Sequence, residues 1–174
     1  LSARDLTQQL LTFAQGGLPV RRAAAIGSLL REQTTFALRG SGVSCRFDIA
    51  PDLWAAEVDE GQIGQVVNNL VINAVQATAG SGQIVVAARN ALVGAADGHA
   101  LPDGQYVQIS VRDRGCGIPK ENLQRMFDPY FTTKAEGSGL GLAIVNRIVQ
   151  EHLGTIRAED NAPRGARFVV ELPA

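Results

Sequence analysis

Lysine is nearly missing from this chain: Lys120 and Lys134 stand against fourteen arginines in 174 residues. There is no excess of positive charge either, since 16 Lys and Arg meet 17 Asp and Glu for a formal net charge of −1. That balance argues against a dedicated nucleic-acid binder and gives no electrostatic reason to expect attraction to an anionic membrane. No apolar run approaches the roughly 20 residues a bilayer-spanning helix needs, and no secretory signal pattern opens the chain. Cysteine is scarce. Cys45 and Cys116 match no metal-ligand spacing and are too few for a disulfide framework, so both read as free thiols of a reducing cytoplasm. Internal repeats and low-complexity tracts are absent. The first residue is Leu1 rather than Met, so the chain reads as a piece of a longer protein, with any sensor or membrane segment outside it.

What remains is an ordinary globular composition, 45% hydrophobic and 19% charged, long enough for one well-filled core. Apolar positions at Leu6, Leu10, Leu11 and Phe13 predict the end of an amphipathic helix over residues 1–14, stopped by Gly16 and Gly17. Residues 21–38 read as a second helix through Ile26, Leu29, Leu30 and Phe36. Val43, Cys45, Phe47 and Ile49 alternate as a strand does, and residues 54–58 form a shorter strand candidate. Residues 59–79 give the clearest helix, with Asp59 as N-cap and Gln62 three residues on in a capping-box arrangement. Strands follow over residues 84–93 and 106–112, joined by a loop at 94–104. Val107, Ile109 and Val111 alternate on one face. Residues 113–139 are long, glycine-rich and aperiodic, a kind of loop that in a compact domain is often functional. A helix over 140–153 and strands over 155–159 and 167–172, separated by an Asn-Ala-Pro-Arg-Gly turn, close the chain. Helices and strands mix without a strand-helix-strand rhythm, which predicts a two-layer α/β (α+β) sandwich, one sheet covered by helices.

Three segments carry chemistry. Along the helix at 59–79, Gln65, Asn69, Asn73 and Gln76 recur at spacings of four, four and three and so share one face. A buried carboxamide without a partner costs about 1–3 kcal/mol, so such a stripe wants a wet cleft, a metal or a ligand. An asparagine oxygen suits Mg²⁺, which prefers oxygen donors. Alone, the stripe fits a solvated face equally well. The second segment, Asp113-Arg114-Gly115-Cys116-Gly117-Ile118, follows directly on an alternating strand. Its glycines permit close approach of the backbone to a flat ligand, and a carboxylate that only accepts hydrogen bonds can select an amino group such as that of adenine.

The third segment, Gly137-Ser138-Gly139-Leu140-Gly141-Leu142, runs straight into a helix. Outward-pointing N–H groups at a helix start make an anion site for phosphates. The spacing is not that of the dinucleotide fingerprint, and no Gly-x-x-x-x-Gly-Lys-Ser/Thr occurs, which excludes a P-loop. Just upstream, Phe127-Asp128-Pro129-Tyr130-Phe131-Thr132-Thr133-Lys134 offers Lys134 as a phosphate contact and three aromatics as anchors of a lid.

In this order the pieces resemble the catalytic ATP-binding domain of sensor histidine kinases, within the gyrase, chaperone, histidine kinase and mismatch-repair ATPase superfamily. Asn69 to Ala77 resembles the family's N box, Asp113-x-Gly115-x-Gly117 its first glycine box, Phe127 to Lys134 its F box, and Gly137 to Leu142 its second glycine box. The wording of the F box is most similar to nitrogen-regulation-type kinases. The resemblance covers residues 19–174 and implies a Bergerat fold, a mixed, mostly antiparallel sheet covered on one face by helices. It implies a domain boundary as well: residues 1–16 end an upstream dimerisation and phosphoacceptor hairpin, and 17–174 form the catalytic domain. Asn73 would hold Mg²⁺ with Asn69 assisting at the phosphates. Asp113 would take the adenine amine, with Ala77, Gly115, Gly117 and Ile118 shaping the pocket. Phe131, Thr132, Thr133, Lys134, Gly137, Ser138, Gly139, Leu140, Gly141 and Leu142 would form the lid over the phosphates. Ala166 stands where relatives place a threonine near the adenine, and Leu153-Gly154 where a Gly-Gly pair is common.

The resemblance further implies ATP and Mg²⁺ as cofactors, transfer of the γ-phosphoryl to a histidine upstream of this piece, and relay to a response-regulator receiver domain. A cytoplasmic domain is expected, with a homodimer for the full-length protein, a monomer for the fragment, and no nucleic acid. Hydrolases of the superfamily resemble one another in a glutamate one turn before the metal-binding asparagine. Here that position is Asn69, and an amide is no general base near neutral pH. His99 reads as a solvent-facing loop residue and His152 as a cationic helix cap, neither a phosphate acceptor. The alternatives are a degenerate module of the same superfamily without kinase activity and an anti-sigma-type serine kinase.

Overall fold

The strict alternation of Val107, Ile109 and Val111 places all three in the core, and the strand that carries them is the middle of the sheet. A computed structural model describes residues 17–94, 100–134 and 137–174; the expected helix over 1–14, the module assigned to 1–16 and His99 lie outside these. In chain order the elements are β1 (Arg22–Ala24), α1 (Ile26–Ala37), β2 (Gly42–Ile49), β3 (Ala56–Val58), α2 (Glu60–Ala77), β4 (Ser81–Val93), β5 (Gly104–Arg112), α3 (Gly141–Glu151), β6 (Thr155–Asp160) and β7 (Ala166–Pro173). The main sheet has the order β2-β4-β5-β7-β6. Only β2 and β4 run parallel; the other neighbours are antiparallel.

Every second residue of the inner strands faces the helices. Ile84 and Val86 of β4, Val107, Ile109 and Val111 of β5 and Phe168, Val170 and Leu172 of β7 meet Ile63, Val67, Leu70 and Val71 of α2 and Ile144, Val145 and Ile148 of α3 in one core. Burying each such side chain contributes about 1.5–3 kcal/mol. The other sheet face is polar: Gln108 Nε2 donates to Glu171 Oε1 at 2.8 Å, and Arg157 and Thr155 reach the second oxygen of Glu171. One layer of helices on one face of a mixed sheet is the architecture expected.

Local details differ. The helix expected from residue 21 starts at Ile26, because residues 22–24 form β1 and pair with β3, Ala24 opposite Ala56. Arg and Ala favour a helix by only a few tenths of a kcal/mol per residue, less than a paired ladder with Ala24 and Ala56 buried. The strand expected from Trp54 shortens to Ala56–Val58, since the Trp54 N–H donates to the Asn90 side chain at 2.8 Å.

The α2 N-terminus is capped as predicted, with Asp59 Oδ1 accepting from the Gln62 N–H at 3.1 Å. The reciprocal half of the capping box is taken over by His152, whose Nε2 accepts from the Asp59 N–H at 3.0 Å. Its Nδ1 lies 2.8 Å from the Ile148 carbonyl. These roles fix a neutral ring with its proton on Nδ1. His152 is fully buried, so the cationic helix cap read from sequence is replaced by a buried tie between the end of α3 and the start of α2. Substituting His152→Ala leaves the Asp59 N–H unpaired, at about 1–3 kcal/mol, and empties the space of a fully buried ring, while the Ile148 carbonyl keeps the backbone N–H of residue 152 at 3.1 Å. The expected loss in urea unfolding is about 3 kcal/mol; a change below about 0.5 kcal/mol would contradict the tie.

Candidate functional site

The polar stripe of α2 faces the loop that precedes α3. Lys134 Nζ donates to Asn73 Oδ1 at 3.0 Å and to Gln76 Oε1. Two carboxamide oxygens one helical turn apart thus converge on one cation. Asn69 lies a turn earlier and points at the start of α3: a Cβ on Gly141 would sit 3.7 Å from Asn69 Oδ1. Partial burial lowers the pKa of Lys134, opposed by its interaction with Cys116.

The turn after β5 rests on the last residue of α2. The Cys116 N–H donates to the Ala77 carbonyl at 3.2 Å. A Cβ on Gly115 would fall 2.2 Å from that same carbonyl oxygen, so only glycine permits this approach. Asp113 is buried. Its Oδ1 accepts from the Gly115 N–H at 2.8 Å and the Ala166 N–H at 3.2 Å. Burial raises its pKa, the two backbone donors pulling the other way. Ala166, singled out for lacking a hydroxyl, therefore contributes its backbone to the carboxylate. Gly117 adopts a left-handed backbone, and Ile118 packs at the edge of the core.

The lid segment is clasped at its base. The Tyr130 N–H donates to the Gly139 carbonyl at 2.9 Å, and a Cβ on Gly139 would meet the Tyr130 carbonyl carbon at 2.4 Å with φ at +69°. Phe127, Phe131 and Leu142 pack against the core and Leu140 is fully buried, whereas Tyr130 is exposed. Of the three aromatics, two anchor the segment to the body. Thr132 Oγ1 accepts from the Lys134 N–H at 3.1 Å and Thr133 lies exposed beside it. Ser138 Oγ accepts from the Leu140 N–H at 3.3 Å and Gly137 sits against Thr132.

The sequence reading missed the β6–β7 turn as part of the site. Asn161 Nδ2 donates to the Asp113 carbonyl at 2.5 Å and Arg164 Nε to the Gly115 carbonyl at 2.9 Å. Nothing in Asn-Ala-Pro-Arg-Gly beyond a turn pattern points there. Gln76 was noted in the stripe but not assigned to the site, and it shares Lys134 with Asn73.

Comparison with known proteins gives the family and the fold. The sequence pattern of the histidine kinase-, DNA gyrase B-, and HSP90-like ATPase family matches residues 58–174, the segment that holds α2, the Asp113 turn and the lid. The chain belongs to this family. It is 34% identical over 98% of its length to sensor kinase CckA of Brucella abortus and 43% identical over 75% of its length to sensor histidine kinase ZraS of Klebsiella oxytoca. It spans only 19% and 26% of those two proteins. Among solved structures, the catalytic domain of histidine kinase ThkA superposes with a TM-score of 0.71 at 33% identity, covering 88% of this chain and 95% of that one. The mycobacterial sensor histidine kinase MprB, at 24% identity and a TM-score of 0.73 over 88% of this chain and 97% of that one, shares the fold.

The raised pKa of Asp113 fixes the sign of a pH effect. A carboxyl whose folded pKa lies above its unfolded value, about 3.9, binds protons more tightly in the native state. Stability then falls as pH rises through the folded pKa, and the cost is fully present above it. Asparagine at 113 keeps the acceptor oxygen but cannot ionise. The expected outcome for Asp113→Asn is equal or higher urea stability at pH 7.5, with the gain over the parent shrinking toward pH 4. A variant less stable at pH 7.5 than at pH 4.5, relative to the parent, would refute it.

Proposed function

We propose that this chain is the ATP-binding catalytic domain of a two-component sensor histidine kinase, residues 17–174 forming the domain and residues 1–16 ending an upstream dimerisation and phosphoacceptor hairpin. The single observation that carries the reading is the convergence of Asn73 and Gln76 on one cation, on the last turn of α2, whose Ala77 carbonyl accepts from the turn that follows the buried Asp113. A site that already holds an ammonium between amide oxygens fits Mg²⁺, which takes oxygen ligands and keeps several waters. In support, the solved ShkA kinase, 26% identical with a TM-score of 0.77 over 97% of this chain, is a complex with AMPPNP.

Asn73 holds the metal, Asn69 assists at the phosphates, and Asp113 accepts from the adenine amine in the pocket lined by Ala77, Gly115, Gly117 and Ile118. Lys134 leaves Asn73 and turns to the phosphate oxygens, joined by backbone N–H groups at Gly139 and Gly141 as the lid closes. Mg²⁺, when bound, neutralises charge on the phosphate oxygens. The protein contributes position and electrostatics, which supply most of phosphoryl-transfer catalysis. With Asn69 where hydrolases carry a glutamate, water lacks a base and transfer to a histidine is favoured. That histidine belongs to the hairpin ahead of this piece, and the phosphoryl passes on to a receiver-domain aspartate of a response regulator. The full-length kinase acts as a homodimer with this domain in the cytoplasm. No helix among the described residues is long and apolar enough to cross a membrane.

Calorimetric titration with a non-hydrolysable ATP analogue and Mg²⁺ should show one site per chain. Asp113→Asn is expected to weaken it at least tenfold, the loss of about one charge-assisted hydrogen bond, and Asn73→Ala to remove the dependence on Mg²⁺. Incubated with ATP alone, the chain should take up no phosphoryl group. Absence of nucleotide binding, or stoichiometric labelling of the chain itself, would overturn the proposal.

A further inference from the structure

The polar face of the sheet is neutralised on one half and not on the other. Toward β6, each arginine has a partner: Arg157 meets Glu159 at 2.9 Å and Glu171 at 3.2 Å, and Arg167 meets Glu159 at 3.3 Å. Toward β2, the register sets Arg46, Val85 and Arg112 in one row across β2, β4 and β5, with Arg112 directly opposite Arg167 on β7. Their neighbours Cys45, Phe47, Ile84, Val86 and Val111 belong to the core, so alternation turns this row to the open face. Like charges directly opposite each other disfavour the sheet, and among the described residues no carboxylate pairs with Arg112.

Two loop arginines complete the group. Arg114 of the turn after β5 and Arg164 of the β6–β7 turn border, with Arg46 and Arg112, a cavity of about 450 Å³ at the end of the sheet. Arg164 is held in place by the Gly115 carbonyl. Among the described residues, none of the four has a carboxylate within ion-pairing distance. The wall between them carries Val85 and the end of α2 at Thr78. The cavity borders the candidate nucleotide site at Ala77 and Gly115, which line both, but takes in neither Asp113 nor Lys134.

We propose that this cleft is a second anion site that binds a small molecule carrying at least two phosphate groups. Guanidinium forks match phosphate oxygens bidentately, which a point-charge lysine does not, and the chain has spent fourteen of its sixteen basic residues on arginine. The volume lies within the roughly 300–1,000 Å³ of small-molecule sites. A concave pocket bordered by four arginines fits a compact polyanion. The inference stands on the sheet register and the charge distribution, independently of the nucleotide reading.

The test is calorimetric titration of the chain with inorganic pyrophosphate, without Mg²⁺ and at low ionic strength, where charge pairing is least screened. One pyrophosphate per chain is expected. The double variant Arg46→Gln/Arg112→Gln should weaken binding at least about tenfold, while Lys134→Ala, which disables the phosphate side of the nucleotide site, should leave it within about twofold. No binding at millimolar pyrophosphate, indifference to the double variant, or loss in Lys134→Ala would overturn the proposal. If the double variant does not fold, the exposed single variant Arg114→Gln carries the same reading: weakened binding supports the cleft and unchanged binding overturns it.

Discussion

The contact between the turn after β5 and the last residue of α2 decides how the rest of the site can form. The Ala77 carbonyl accepts from the Cys116 N–H, and Gly115 passes so close above it that a methyl group would overlap the carbonyl oxygen. Because of that contact, the Asp113 carboxylate is buried beneath the turn while the amide face of α2 runs up to the same place. A bulkier residue at 115 would lift the turn, and the two halves of the pocket would part. The site is therefore held by backbone geometry at one carbonyl, with side chains supplying the chemistry.

A second constraint operates at the opposite end of α2. His152 joins the end of α3 to the Asp59 N–H, so the helix that follows the lid and the helix that carries Asn69 and Asn73 share a hydrogen bond through one buried ring. The start of α3 faces Asn69 across Gly141. The two helices are thus registered at both ends, and the lid between β5 and α3 is fastened at its base by Tyr130 and Gly139. Lid movement then need not disturb the helices, because the anchoring residues Leu140 and Phe131 belong to the core or pack on it.

Periodicity made much of the fold legible. The alternation in β5, the apolar pattern and Asp59 cap of α2 and the glycine that breaks α3 all correspond to elements within a few residues. What escaped was set by tertiary partners. Residues 22–24 read as helix because Arg and Ala favour one, and only β3 makes them a strand. His152 read as a cationic helix cap because its partner N–H lies 93 residues away in sequence. At the candidate site, Asn73, Asp113, Lys134 and the glycines stood out in the sequence because each proposed role asks for a particular residue type, and the structure joins Lys134 to Asn73 and the Asp113 turn to the end of α2. Asn161 and Arg164 did not stand out, since they act through backbone carbonyls that any turn could offer. The match to the histidine kinase-, DNA gyrase B-, and HSP90-like ATPase family runs over residues 58–174, and the arginine cleft becomes visible only once the register of the sheet is known.

The central claim is that one pocket, between the Asp113 turn and the amide face of α2, takes a magnesium-bridged nucleotide. A crystal structure of the chain grown with Mg²⁺ and a non-hydrolysable ATP analogue tests it most directly. The account predicts Asn73 Oδ1 about 2.1 Å from the metal, Lys134 released to the phosphates, and Asp113 within hydrogen-bonding distance of the adenine amine. Nucleotide bound elsewhere, with Lys134 still on Asn73 and Gln76, would contradict it.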